Sequence, residues 1–259
     1  MSPSRPSAPV KGAVQRQRTA KQRPALQPYG GAAVRHAVVF LLAGVLLLAF
    51  WASRPEWSPE MRLWRAVGDA AVMLLFASLT IGPLARLWGP AGRLLVWRRQ
   101  IGIWAAIVAG IHAVLVLDGW ALWSVRRLLG YEMIPQLGRE ARMEPGFGLA
   151  NLIGLVALTW LLVLLATSSD RALRFLGPPA WKWVHHGSYV VFYLVMLHST
   201  YFLFMHYTLS FHRPPAPANW FRWPLLVTGL LVLLVQWLSF WRTARRRRKR
   251  PEAAGRPRR

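Results

Sequence analysis

The chain has 259 residues and is 54% hydrophobic, with 33 Lys and Arg against nine Asp and Glu. It has no cysteine, which excludes disulfides, iron–sulfur clusters and thiolate metal sites. The net charge of +24 would suit nucleic acid. However, the basic residues lie in the tails and in short loops beside apolar runs, which is the topology signal of a membrane protein. We therefore predict membrane lipid, and no nucleic acid, as a partner.

Six apolar runs approach or reach the length that crosses a bilayer, about 20 residues for about 30 Å of hydrocarbon. They predict spans at Val34–Ala52, Ala66–Leu87, Gln100–Leu117, Leu149–Ala166, Trp183–His206 and Trp223–Trp241. The predicted fold class is all-α, a six-helix transmembrane bundle over residues 34–241 with disordered basic tails over 1–33 and 242–259. Gly82-Pro83 is expected to kink the end of the second span. We identify no internal repeat.

The loops predict the orientation of the bundle. Both tails, the loop between spans 2 and 3 and the loop between spans 4 and 5 are basic, whereas the remaining loops mix charges of both signs. By the positive-inside rule both termini lie in the cytoplasm. The 118–148 stretch then lies outside, and we expect its aromatic residues Trp120, Trp123 and Tyr131 to lie along the membrane interface.

Histidines lie within the apolar runs. His112 is deep in span 3, and span 5 contains histidines at 185, 186, 198 and 206. An ionisable side chain inside a membrane is costly and indicates function. At 1.5 Å per residue, His112 lies about 18 Å along span 3 and His198 about 22 Å along span 5. Because both spans run outward, the two imidazoles reach a similar depth, where they could clamp one haem.

Other interpretations of the histidines stay open. They could hydrogen-bond neighbouring helices, or relay protons in a haem-free scaffold or transporter. His185 lies about 220° around an ideal helix from His198, so it would need a different partner to ligate a second haem. His206 and His212 are expected to be solvated at the outer interface.

Arg98 and Arg99 directly precede span 3. Guanidinium groups bind carboxylates and phosphates, so this pair could hold haem propionates or the phosphates of an anionic cofactor. It could equally be a simple topology anchor. No Gly-x-Gly-x-x-Gly and no P-loop is present, so a nucleotide-binding domain is not predicted.

Two motifs resemble those of a known family. Arg98-Arg99-Gln-Ile-Gly-Ile, followed by His112, resembles the Arg-Arg-x-Leu-Gly-Leu…His pattern of ferric reductase-like transmembrane proteins. Within that group it is similar to the haem-binding membrane subunit of the periplasmic methionine sulfoxide reductase system. Trp181-Lys-Trp-Val-His185 with Tyr189 and His198 resembles that family's Trp-x-x-Leu-His-x-x-x-Tyr…His span.

The resemblance implies that His112, His185 and His198 are associated with haem b, one or two groups per chain. It also implies flavin mononucleotide or a quinone as further cofactors. The protein would be an electron-transfer subunit of a reductase in the bacterial inner membrane, not its catalytic subunit. Electrons would pass from a cytoplasmic flavin reductase or a quinol to a periplasmic reductase partner. A self-contained reductase of ferric chelates is the alternative within the same class.

Overall fold

The computed structural model describes residues 31–135, 138–142, 145–206 and 219–248. Most of the predicted N-terminal tail, His212 and the last part of the basic C-terminal tail lie outside these residues.

The described chain is mainly α-helical. The helices are α1 (Ala32–Ala52), α2 (Pro59–Leu87), α3 (Leu95–Val116), α4 (Val125–Leu128), α5 (Pro145–Ala166), α6 (Asp170–His186), α7 (Ser188–Thr200) and α8 (Arg222–Arg248). A 3₁₀-helix over Gly89–Leu94 leads into α3, and π-helical turns over Leu117–Ala121 and Tyr201–Met205 continue α3 and α7. Strands β1 (Tyr131–Ile134) and β2 (Arg139–Arg142) pair in an antiparallel hairpin.

Six helical segments are long and apolar enough to cross a membrane. They are Ala32–Ala52, Pro59–Leu87, Gly89–Ala121, Gly146–Ala166, Asp170–Met205 and Arg222–Arg246. Each predicted span overlaps one of them, so the prediction of an all-α, six-span membrane protein is confirmed.

The helix α2 is the centre of the bundle. In its most apolar stretch 61% of the residues are buried, against at most 28% in the other five spans. It packs against α1, α3 and α8. It begins at Pro59 rather than at the predicted Ala66, because Ser58 caps it and proline suits its first position. The helix also continues through Pro83 to Leu87.

The fifth span is not one regular helix. Gly177 in α6 has a φ of 74°, before two prolines, and α6 and α7 meet at Gly187. The indole of Trp160 rests on Gly187, where a Cβ would lie 1.7 Å from its Nε1. The non-helical residue Gly177 precedes His185, and Gly187 keeps helical dihedral angles, so the angle of about 220° between His185 and His198 stays a prediction.

A buried ion pair joins three parts of the bundle. Arg54, which is 1% exposed, pairs with Asp69 of α2. Its Nε and Nη2 donate to Oδ1 of Asn219, just before α8, over 3.2 and 3.0 Å. Its Nη1 donates to the carbonyl of Phe50 in α1 over 3.3 Å. The pair therefore fixes the end of α1, the first half of α2 and the start of α8 against one another.

We expect Asp69→Ala to lower the free energy of unfolding by about 3–5 kcal/mol, because it leaves the Arg54 guanidinium buried without its carboxylate. The matched control is Asp170→Ala, which breaks an exposed ion pair with Arg99. Exposed pairs contribute little, so this variant should unfold close to the wild-type temperature in detergent. Equal destabilisation by the two substitutions would contradict the structural role of Asp69.

Candidate cofactor site

The helices α2, α3, α5 and α7 enclose a cavity that contains both His112 and His198 in its wall. It leaves about 200 Å³ in which the centre of a water molecule can move. A single water needs only about 10–15 Å³ by the same measure, so the cavity can hold a much larger group. Most of its lining is apolar. The structure thus brings together the two histidines that were predicted to lie at similar depth.

His112 is held by the neighbouring helix α2. Its Nδ1 lies 2.9 Å from the carbonyl oxygen of Trp64. Because a carbonyl only accepts hydrogen bonds, Nδ1 carries the proton and Nε2 keeps the lone pair. The ring rests on Gly68, where a Cβ would lie 3.0 Å from Cε1. A Cβ at position 68 would press on the ring, so the glycine permits this close approach.

His198 is held in the same way by α5. Its Nδ1 lies 2.8 Å from the carbonyl oxygen of Ala150, which again assigns the proton to Nδ1. The ring rests on Gly154, where a Cβ would lie 2.6 Å from Nδ1. Both imidazoles thus have Nε2 as the nitrogen available to a metal, with the other nitrogen fixed by a carbonyl, as is usual for metal-ligating histidines.

The two arrangements form an internal repeat, which the sequence analysis did not identify. The equivalent residues are 86 positions apart: Trp64 and Ala150, Gly68 and Gly154, His112 and His198. Each hydrogen bond joins residues 48 positions apart. The helices α2 and α5 begin at prolines separated by the same interval. In the sequence, the signal that could have revealed the repeat is a proline, a glycine and a histidine that each recur after 86 positions.

The repeat extends over the whole cavity. Every lining residue except Trp64 and Leu128 has a partner 86 positions away that also lines the cavity. Many of these pairs differ in residue type, such as Arg65 with Asn151 and Trp120 with His206. A two-fold arrangement of the walls suits a ligand that is held equivalently from two sides.

A guanidinium and an imidazole lie at one end of the cavity. Arg65, which sequence reasoning missed, lines it and lies 5.5 Å from the ring centre of Phe202. His206 lines it too and is 8% exposed, with its ring centre 5.1 Å from that of Phe147. The expectation that His206 is solvated is wrong, because aromatic rings cover it.

Trp120 also differs from expectation. It lines the cavity and packs on Phe147 at 5.5 Å between ring centres, so it does not lie along the interface. Trp123 is 65% exposed, as an interfacial position requires. Tyr131 lies in β1 under the guanidinium of Arg126, 4.8 Å from the ring centre.

Arg98 and Arg99 lie outside this cavity. The Nε of Arg98 donates to the carbonyl of Ser78 over 3.2 Å, and its guanidinium lies over Gly82. Arg99 forms an exposed ion pair of 2.6 Å with Asp170. Their cofactor role stays a prediction for a separate position in the bundle.

His185 is also outside the cavity. Its Nε2 lies 3.2 Å from Oγ1 of Thr167, and its ring stacks on Trp181 with 4.0 Å between ring centres. It lies close enough to Arg98 and Arg99 to interact with their charges. Its role as a haem ligand stays a prediction, and it does not share a cavity with His112 and His198.

The donor set suits haem better than a bare metal ion. Within the described ranges, no group of three or more His, Asp or Glu side chains is arranged to hold an ion. Two imidazoles facing one apolar cavity are instead the ligands that haem iron accepts on its two axial sides. The residues present therefore fit haem.

The model of a protein family, described as ferric reductase like transmembrane component, matches residues 66–196. The chain belongs to the ferric reductase-like transmembrane family. The resemblance drawn from the two motifs is confirmed. The region that matches this family contains His112 and His185 and ends just before His198.

Relatives within the ferric reductase-like group cover most of the chain. The protein from Bordetella pertussis strain Tohama I is 28% identical over 211 residues, 79% of this chain and 89% of the relative. The protein from Pectobacterium atrosepticum is 30% identical over 187 residues, which are 71% of this chain and 81% of the relative. The protein from Enterobacter sp. strain 638 is 32% identical over 166 residues, which are 62% of this chain and 76% of the relative. All three are named protein-methionine-sulfoxide reductase heme-binding subunit MsrQ.

Proposed function

We propose that the chain binds b-type haem between His112 and His198 and transfers electrons across the membrane as the membrane subunit of a reductase system. The observation that carries this proposal is the pair of imidazoles in one apolar cavity, each with Nδ1 on a backbone carbonyl. The relatives' name, heme-binding subunit of a protein-methionine-sulfoxide reductase, supports it. Haem iron with two imidazole ligands supplies one-electron transfer and has no open position for a substrate.

The chain's own residues set the conditions for this transfer. The carbonyls of Trp64 and Ala150 fix the imidazole tautomers and make both rings more basic ligands. Gly68 and Gly154 leave room for the rings to lie against α2 and α5. The mainly apolar walls favour the apolar faces of a haem over water. If His112 and His198 both held the haem iron, no position would remain for a substrate, and the catalytic step would belong to a partner polypeptide.

Arg65 is our candidate for binding the haem propionates. It is the guanidinium in the cavity lining, whereas Arg98 and Arg99 lie outside the cavity. His206 lines the same end and can donate a further hydrogen bond. Arg98 and Arg99, beside His185, keep the alternative role of binding the phosphate of an anionic cofactor such as flavin mononucleotide.

The propionate assignment predicts a specific loss of discrimination. We expect the wild-type chain to bind haem more tightly than haem dimethyl ester, whose propionates are uncharged. Arg65→Gln should lower the ratio of the affinities for haem and haem dimethyl ester roughly tenfold or more, because hydrogen bonds to charged groups contribute about 1.5–3 kcal/mol. The measurement is the ratio of the two affinities, determined on the full-length chain loaded with either compound. Arg98→Gln is the matched control. If Arg98→Gln lost the preference for haem and Arg65→Gln kept it, the assignment of the propionates to Arg65 would be refuted.

The basic loops support an orientation with both termini in the cytoplasm. Electrons would then pass from a cytoplasmic flavin reductase or a quinol to a periplasmic reductase. In proteoliposomes, a quinol or reduced flavin on the inner side should reduce the haem, and reoxidation should require the partner subunit. Rapid reduction of ferric chelates without any partner would favour the self-contained metalloreductase. A colourless protein would favour the scaffold or proton relay.

A further inference from the structure

A second concave site, which none of the described histidines lines, lies where the last turns of α8 pass the end of α2. It forms a groove of about 810 Å³. Its apolar floor includes Leu87, Trp237 and Trp241. Its basic rim consists of Arg242, Arg245 and Arg246. The groove therefore has the polarity of a lipid, with an apolar part toward the bundle and a cationic part beyond it.

Two of the three rim arginines are held in place by neutral partners. Arg242 donates through Nη1 to the carbonyl oxygen of Leu87, which ends α2. The guanidinium of Arg245 lies 4.7 Å from the ring centre of Trp241. Positions 242, 245 and 246 are spaced at three and four residues, so the three side chains share one face of α8. Like charges at this spacing destabilise a helix unless an anion lies between them.

Carboxylates do not neutralise this rim in the described part of the chain. The groove lining contains no Asp or Glu, and the ion pairs of Arg54, Arg99 and Arg126 lie elsewhere in the bundle. Within the described residues the rim thus has no carboxylate partner, and an external anion would supply the complementary charge. Guanidinium groups bind phosphate oxygens in pairs, which favours a phosphate over a halide.

The place of the groove selects the source of the phosphate. The end of α2 and the end of α8 lie at the side of the bundle that the basic loops predict to be cytoplasmic. Trp237 and Trp241 are 56% and 43% exposed, in positions typical of an interfacial belt. Basic pockets between spans at this depth suit the headgroups of anionic lipids.

We propose that this groove binds an anionic phospholipid. Arg242, Arg245 and Arg246 bind its phosphodiester, and an acyl chain lies along Trp237 and Leu87. The lipid fixes the end of α8 against α2, and its binding is independent of haem.

The test is native mass spectrometry of the full-length protein with phosphatidylglycerol or phosphatidylcholine. The groove variant carries Arg242→Gln, Arg245→Gln and Arg246→Gln. The matched control carries Arg93→Gln, Arg171→Gln and Arg174→Gln, which removes the same charge from exposed positions at the same side. We expect the wild type and the control to prefer phosphatidylglycerol by about tenfold, and the groove variant to lose that preference.

Three outcomes would overturn the proposal. Equal losses in the groove variant and the control would show general attraction between charges. Equal binding of the two lipids by the wild type would show that the rim does not select an anion. Displacement of the lipid by micromolar flavin mononucleotide or inorganic phosphate would assign the rim to a soluble phosphate. If the triple variant does not fold, the single change Arg245→Gln, with Arg93→Gln as its control, should reduce the preference in the same direction.

Discussion

His112→Ala and His198→Ala should each abolish the low-spin haem spectrum of the purified protein. Each change removes one of the two imidazoles in the cavity, so iron would keep at most one axial ligand from the protein. We expect haem per chain to fall by about tenfold or more, since even indirect support of a metal ligand is worth about 10–100-fold in affinity. Any haem that remains should be high-spin by absorption and electron paramagnetic resonance.

His186→Ala is the matched control for these two changes. His186 ends α6 and stacks near Tyr189, with 6.4 Å between ring centres, outside the cavity. Its loss should leave haem content and spin state unchanged. His185→Ala tests the separate prediction of a second haem, because it would lower haem per chain without altering the signal of the first. Retention of the low-spin spectrum by both His112→Ala and His198→Ala would show that the ligand assignment is wrong.

Gly154→Ala should disrupt the site although it adds a single methyl group. The new Cβ would lie 2.6 Å from Nδ1 of His198, closer than such contacts allow. The imidazole would have to leave the carbonyl of Ala150, which fixes its tautomer. We expect a loss of haem of about 10–100-fold, measured per chain by absorption after purification.

The glycines allow a graded comparison. In Gly68→Ala the Cβ would lie 3.0 Å from Cε1 of His112, so a smaller loss should follow. Gly110→Ala lies on α3 near His112, but its Cβ would meet nothing within 4 Å. Haem content should therefore fall in the order Gly110→Ala, Gly68→Ala, Gly154→Ala. Equal haem contents in all three variants would contradict the packing of the rings on α2 and α5.

The sequence was sufficient to predict the six spans, because long apolar runs have few alternatives in a membrane. It located helix ends poorly wherever charged residues belong to a helix. The first turns of α2 contain Glu60 and Arg62, and α8 continues to Arg248 through the basic segment. Apolar patterning cannot distinguish such turns from loops, whereas capping by Ser58 and Pro59 could have located the start of α2.

The pairing of His112 with His198 was also predictable, because helices rise by a constant 1.5 Å per residue and depth can be counted. The contacts that hold the two imidazole rings could not be predicted from the sequence. Their acceptors are backbone carbonyls, so Trp64 and Ala150 need share no side-chain chemistry. The repeat preserves the glycines and histidines that touch each other but changes many of the residues between them, which conceals it in the sequence.

Arg65 and His206 illustrate a second limit of the sequence. Each lies near the end of a span, where charged and polar side chains usually face water or headgroups. Only the packing of α2 against α3 and α7, and of α5 against α7, places them in the lining of the cavity. The direction of a side chain depends on helix rotation, which is set by partner helices and not by hydropathy.

The most direct test of the central claim is a reduced-minus-oxidised absorption spectrum of the purified full-length protein, with haem quantified per chain. A haem clamped by His112 and His198 predicts a sharp low-spin b-type signal and at least one haem per chain. A protein that stays colourless after expression with haem precursor supplied would contradict the electron-transfer function. The cavity would then have to be explained by a histidine proton relay or a scaffold.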